Sequence, residues 1–84
     1  MPIIETTTSM EGIFEEVRKE RFNEDEKYGE QNHDPAYWIA VLGKEFGSIC
    51  RAICENNPEK YRKELIDLLA VGTNMAETFD RGVW

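Results

Sequence analysis

The sequence predicts an all-α fold of three helices. Three observations carry that reading. Apolar residues recur at spacings of three and four along most of the chain. No stretch alternates apolar and polar residues for more than a few positions. Two cap-plus-proline pairs, Asp34–Pro35 and Asn57–Pro58, divide the chain into helix-length segments.

Residues 1 to 8, "MPIIETTT", are β-branched and polar and read as an extended or frayed arm, leaving 9 to 84 as a single helical domain. Ser9 is placed to cap the first helix. Ile13, Phe14 and Val17 supply its apolar stripe, and Glu11, Glu15 and Glu16 lie near its positive end. That helix should stop at Tyr28, with Gly29 just past the end. "EQNHDP" is loop and cap chemistry. The second helix should run from Pro35 to Cys54 or Glu55, burying Trp38, Val41, Leu42, Phe46, Ile49 and Ile53. The third should run from 58 to 80 with Tyr61, Leu65, Leu68, Leu69, Met75 and Phe79 inward. The short link makes the second and third helices an antiparallel hairpin. Gly43 and Gly47 on the second helix, and Gly72 on the third, are read as points of close helix approach.

Eighty-four residues make one domain with a small core, so self-association into a homodimer or homotetramer is expected, completing a helical bundle across the interface. A net charge of −7 argues against nucleic-acid phosphates as partners and suits a cation. No apolar run approaches the roughly 20 residues of a membrane span. The first ten residues lack a signal-peptide layout, which makes the cytoplasm the expected compartment. Cys50 and Cys54, four apart on a helix, read as reduced, partly buried structural thiols.

The chemistry-bearing feature is a set of carboxylates. In "ELIDLLAVGTN", Glu64 and Asp67 lie one turn apart beside the apolar stripe. Glu45 lies on a line with Leu42 and Ile49 on the preceding helix. A hairpin can bring Glu45 opposite the other two. Three partly buried carboxylates repel one another, and a divalent cation with hard oxygen ligands removes that penalty. The competing reading is a solvated face on which Glu64 pairs with Lys60 or Lys63. Around this set, Lys60, Arg62 and Lys63 are read as either phosphate contacts or a solvated face. Tyr37 and Trp38 are read as base-stacking, core or oligomer residues, and His33 as a capping or hydrogen-bonding residue rather than a base.

These residues together resemble the MazG-like all-α nucleoside triphosphate pyrophosphohydrolases, over about residues 11 to 80. That superfamily carries EExxE on one helix, ExxD on the next, and often an Asn seven residues after the Asp. "KEFGS" (44–48) falls at the first motif, "ELID" (64–67) matches the second, and Asn74 lies seven residues after Asp67. "YGEQNH" (28–33) resembles a segment that precedes the metal helix in the small phage and bacterial branch. The resemblance implies Mg²⁺ held by Glu45, Glu64 and Asp67. It implies hydrolysis of a nucleoside triphosphate to the monophosphate and pyrophosphate, with Asn74 in contact with that nucleotide; beside it, Lys63 is read as a substrate contact and Lys44 as either a phosphate contact or a charge that opposes the cation. Lys44 and Ser48 stand where the motif has glutamates. That departure sets a second reading beside the first: a catalytically silent helical interaction or regulatory module on the same fold.

Overall fold

The computed structural model describes residues 9–84; the arm expected over 1–8 lies outside the described residues. The three expected helices form: α1 (Met10–Tyr28), α2 (Pro35–Cys54) and α3 (Pro58–Asp80). Among the described residues there is no strand.

Each helix starts where the caps predict. The Ser9 side chain accepts a hydrogen bond from the Gly12 N–H at 3.0 Å, the Asp34 carboxylate one from the Tyr37 N–H at 2.9 Å, and Asn57 Oδ1 one from the Lys60 N–H at 3.1 Å. Gly29 ends α1 with φ +74°.

The α2–α3 turn closes by a device absent from the sequence reading. Asn56 takes a left-handed conformation, φ +54°. Its N–H donates to Ile53 O at 3.0 Å, and the Asn57 N–H donates to Ala52 O at 2.9 Å. That is the paired bonding of a Schellman end, with Asn in the place glycine usually takes. The same pattern ends α3 through Gly82 (φ +96°) and Val83.

The third helix is central. It packs against both α2 and α1, and α1 and α2 do not pack on each other among the described residues. α2 runs antiparallel to α3: Trp38 shares a cavity with Met75 and Phe79, and Ala52 shares one with Pro58 and Tyr61. α1 runs parallel to α3, since Glu16 pairs with Arg62 at 2.7 Å and Arg21 with Glu77 at 2.5 Å. The loop from Gly29 to Asp34 is latched onto α3. Thr78, fully buried, places its hydroxyl 2.9 Å from Gln31 O, and Arg81 Nη2 donates to the same carbonyl at 3.1 Å. Arg21 is buried and joins α1 to α3 through Glu77, while Glu24 and Asp25 of its own helix pair with it as well. Burial works against its charge, but its hydrogen bonds to Glu77 and Asp25 outweigh that and hold its pKa raised.

The buried apolar set is Val17, Trp38, Ile49, Ala52, Ala70 and Val71. Several residues expected inside are outside: Phe14, Phe46, Ile53, Leu69 and Phe79 are all exposed, Tyr61 marginally so. The reason is geometric. Among the described residues each outer helix has only α3 to lean on, so an apolar arc wider than one contact stripe is not covered there. A radius of gyration of 14.2 Å agrees with this, against about 12 Å for a compact chain of this length. The cysteines are corrected too: Cys50 and Cys54 are free but exposed, on the outer face of α2. The glycine reading also fails within the chain. Among the described residues, nothing lies within 4 Å of a Cβ built at Gly43, Gly47 or Gly72. Each mid-helix glycine costs roughly 1 kcal/mol relative to alanine, with no packing inside the chain to offset it.

The turn yields a test. Asn56→Gly should leave stability near that of the parent. Asn56→Val should lower it by about 1–2 kcal/mol, because a β-branched residue resists the left-handed region. Equal chemical-denaturation midpoints for the two variants would refute the assigned turn.

Candidate metal centre

The hairpin register sets Glu45 of α2 across from Glu64 and Asp67 of α3. One carboxylate oxygen from each lies within 4.8 Å of the others, and all three side chains are half-buried. Burial raises the pKa of Glu45 first. The charges of Asp67 and Glu64 raise it further, nearby Lys44 pulls the other way, and a hydrogen bond shared with Glu64 adds the least. Lys63 Nζ pairs with Asp67 Oδ2 at 3.2 Å, an i, i+4 contact. Lys60 turns to Glu55 at 4.0 Å instead. Glu64, which the solvated-face reading pairs with Lys60 or Lys63, takes no salt bridge among the described residues.

The donor set suits a hard divalent cation. Octahedral Mg²⁺ with Mg–O distances of about 2.1 Å places its ligand oxygens roughly 3–4 Å from one another, and Ca²⁺ spreads them a little more widely. The triad needs only small side-chain shifts to reach either spacing. Three carboxylates also leave coordination positions for water and phosphate oxygens. Ser48, one turn beyond Glu45, is half-buried.

The first helix contributes acidic groups that sequence reasoning missed. Glu24 is half-buried, and its pKa is raised by burial first, then by the charge of Glu20, with Asp67 adding to it. Glu24 pairs with Arg21 at 3.4 Å and lies near enough to Asp67 to feel its charge. One sequence signal existed: Val17, Arg21 and Glu24 fall on one i, i+4, i+7 line. Nothing local shows which way that line turns.

Beside Asp67, α1 and α3 enclose a cleft of about 630 Å³ whose walls include Lys19, Asn23, Arg62, Lys63 and Ile66. That volume is in the range of small-molecule sites. Arg62 is held by both oxygens of Glu16, at 2.8 and 2.7 Å. Lys44 is exposed on the outer side of α2. Asn74 is buried between α1 and α3 and lines a separate polar cavity of about 240 Å³ with Arg21, Gln31, Glu77 and Arg81. Its Oδ1 has no hydrogen-bond partner there. His33 stacks on Tyr37 at 3.9 Å and meets the buried Trp38 edge-on at 5.1 Å. No helix is long and apolar enough to cross a membrane, among the described residues.

No protein-family model matches the chain, no curated protein matches it, and no solved structure matches its fold.

The carboxylate cluster has a pH signature. A folded-state pKa raised above the ordinary carboxylate value means that folding binds protons. Stability from Glu45 and Glu24 is therefore least compromised in acid, and falls as pH rises from about 4.5 through their raised values. Without added metal, Glu45→Gln should melt above the parent at pH 7.5, and the gap should shrink toward pH 4.5. A gap independent of pH would show that Glu45 carries no such strain.

Proposed function

We propose that this chain is a MazG-like nucleotide-binding protein of the cytoplasm that hydrolyses a nucleoside or deoxynucleoside triphosphate to the monophosphate and pyrophosphate. The observation that carries the reading is the convergence of Glu45, Glu64 and Asp67 from two helices, of which only Asp67 takes a salt bridge among the described residues. Three like charges kept together at a half-buried place favour a divalent ion over an empty cluster. The motif spacing and Asn74 support the family assignment.

Glu45, Glu64 and Asp67 would hold Mg²⁺. When bound, it supplies neutralisation of the phosphates and activation of the attacking water. The protein's own groups would do the rest. Lys63, on the rim of the cleft, exchanges Asp67 for a phosphate oxygen, and Lys19 and Arg62 line the same approach. Lys44 would add positive charge at the outer side of the site. Asn74, buried in the separate polar cavity, would reach the nucleotide only after that cavity opens. The water oxygen bonds to the α-phosphorus, and the α–β bridging oxygen departs with pyrophosphate. Glu24, outside the triad and with a raised pKa, would take the proton once released from Arg21.

A second reading keeps the fold without catalysis: a silent interaction or regulatory module. Lys44 and Ser48 in place of motif glutamates favour it, as does the Lys63–Asp67 pair.

Two measurements decide between them. With Mg²⁺ and a panel of NTPs and dNTPs, the parent should release pyrophosphate, and Glu64→Gln should lose at least about 10–100-fold of that rate. No turnover, or equal turnover by the variant, would remove the enzymatic claim. Mg²⁺ with nucleotide should also raise the melting midpoint by several degrees, because both bind only the folded state. An unmoved midpoint favours the silent module, whereas activity appearing only in Lys44→Glu/Ser48→Glu would mark a retired enzyme.

A further inference from the structure

Trp38 and Trp84, the chain's two tryptophans, line one cavity of about 300 Å³ at the C-terminal end of α3. His33 and Phe79 add two more rings, and Met75 and Val83 add apolar wall. The rings cross steeply. Phe79 meets Trp84 at 89° with centroids 6.1 Å apart, and His33 meets Trp38 at 72° and 5.1 Å. Rings crossed at such angles suit a rounded guest, because a flat one can lie parallel to only one member of each pair.

Charge narrows the guest. Asp80 is the one acidic residue in the wall, and among the described residues no Lys or Arg lines it. The Asp80 carboxylate has no salt-bridge or hydrogen-bond partner among the described residues. It also stands on the last residue of α3, at the negative end of the helix dipole, and that last turn holds no basic residue. Arg81, next in the chain, turns to Asn32 and the Gln31 carbonyl instead. Ring faces, helix end and carboxylate are all negative and together favour a cation. The apolar remainder of the wall disfavours a strongly hydrated ion such as Mg²⁺ and suits a cation covered in methyl groups. One polar group is left over. Trp38 is 4% exposed, and its indole N–H has no acceptor among the described residues. A buried donor without a partner is costly, and an oxygen on the guest removes that cost.

We propose that this cavity binds a small quaternary ammonium compound that also carries a neutral oxygen, of the choline type. The trimethylammonium head sits among the rings beside Asp80, and the oxygen accepts from Trp38 Nε1. A methylated lysine side chain carries no oxygen close to its ammonium, so the Trp38 donor favours a free small molecule. The carboxylate triad lies elsewhere. Glu45 is seven residues along α2 from Trp38, about 10 Å at 1.5 Å per residue. The two sites therefore stand or fall separately.

Both tryptophans line the cavity, so the intrinsic fluorescence of the full chain reads it. Choline chloride, titrated at constant ionic strength, should change the emission saturably. Dimethylbutanol, its uncharged isostere with carbon in place of nitrogen, should bind about fivefold more weakly or worse. Tetramethylammonium, which lacks the oxygen, should also bind several-fold more weakly than choline. Asp80→Asn and Phe79→Leu should each weaken choline by about fivefold and keep the helical circular-dichroism signal, because both side chains are exposed. Asp80→Asn should leave binding of the uncharged isostere unchanged, which separates charge from shape. No saturable response to choline, equal binding of choline and either comparison compound, or undiminished binding by Asp80→Asn would overturn the proposal. Tighter binding of a nucleoside, or of a trimethyl-lysine peptide, would overturn it too.

Discussion

The constraint on which the rest depends is the tight turn between α2 and α3. Asn56 reverses the chain, and Asn57 serves at once as the end of one helix and the cap of the next. With so few residues between them, the two helices have one register available. That register puts Glu45 across from Glu64 and Asp67. A slip of one residue would rotate Glu45 by 100° and take it out of the cluster. The acidic site is thus a consequence of loop chemistry more than ten ångströms away along the helix axis.

The price of that placement is electrostatic strain. Three carboxylates share a half-buried position, and the charge of Asp67 reaches Glu24 on α1 as well. The apolar core is small, and much of what should stabilise the domain faces outward. A chain this marginal gains from any ligand that binds only its folded state. The Arg21 network and the Thr78 latch work in the other direction. They tie α1 and the Gly29–Asp34 loop to α3 through buried polar contacts rather than through apolar area.

The second helix serves two surfaces with one sequence. Its inner face carries Trp38, Glu45, Ile49 and Ala52 toward α3. Its outer face carries exposed Ala40, Gly43 and Gly47, with Ile39, Phe46 and Ile53 along one edge. Both faces register as hydrophobic periodicity, so a single arc was expected where there are two. Phe46 and Ile53 belong to the outer edge, which explains why they fit the apolar pattern yet stay exposed.

By itself, the sequence determined the fold class, the three helix spans and their caps. Those are set locally, by side chains that bond to backbone groups within one turn. It also marked Glu45, Glu64 and Asp67, because their spacing alone places them beside apolar stripes. Only the tertiary structure decided which of two apolar arcs on α2 is covered, that Lys63 turns to Asp67 rather than Glu64, and that α1 brings Glu20 and Glu24 toward the site. Helical periodicity fixes the angles between side chains on one helix, but not the rotation of that helix against its neighbours. That rotation is chosen by the packing of the whole chain.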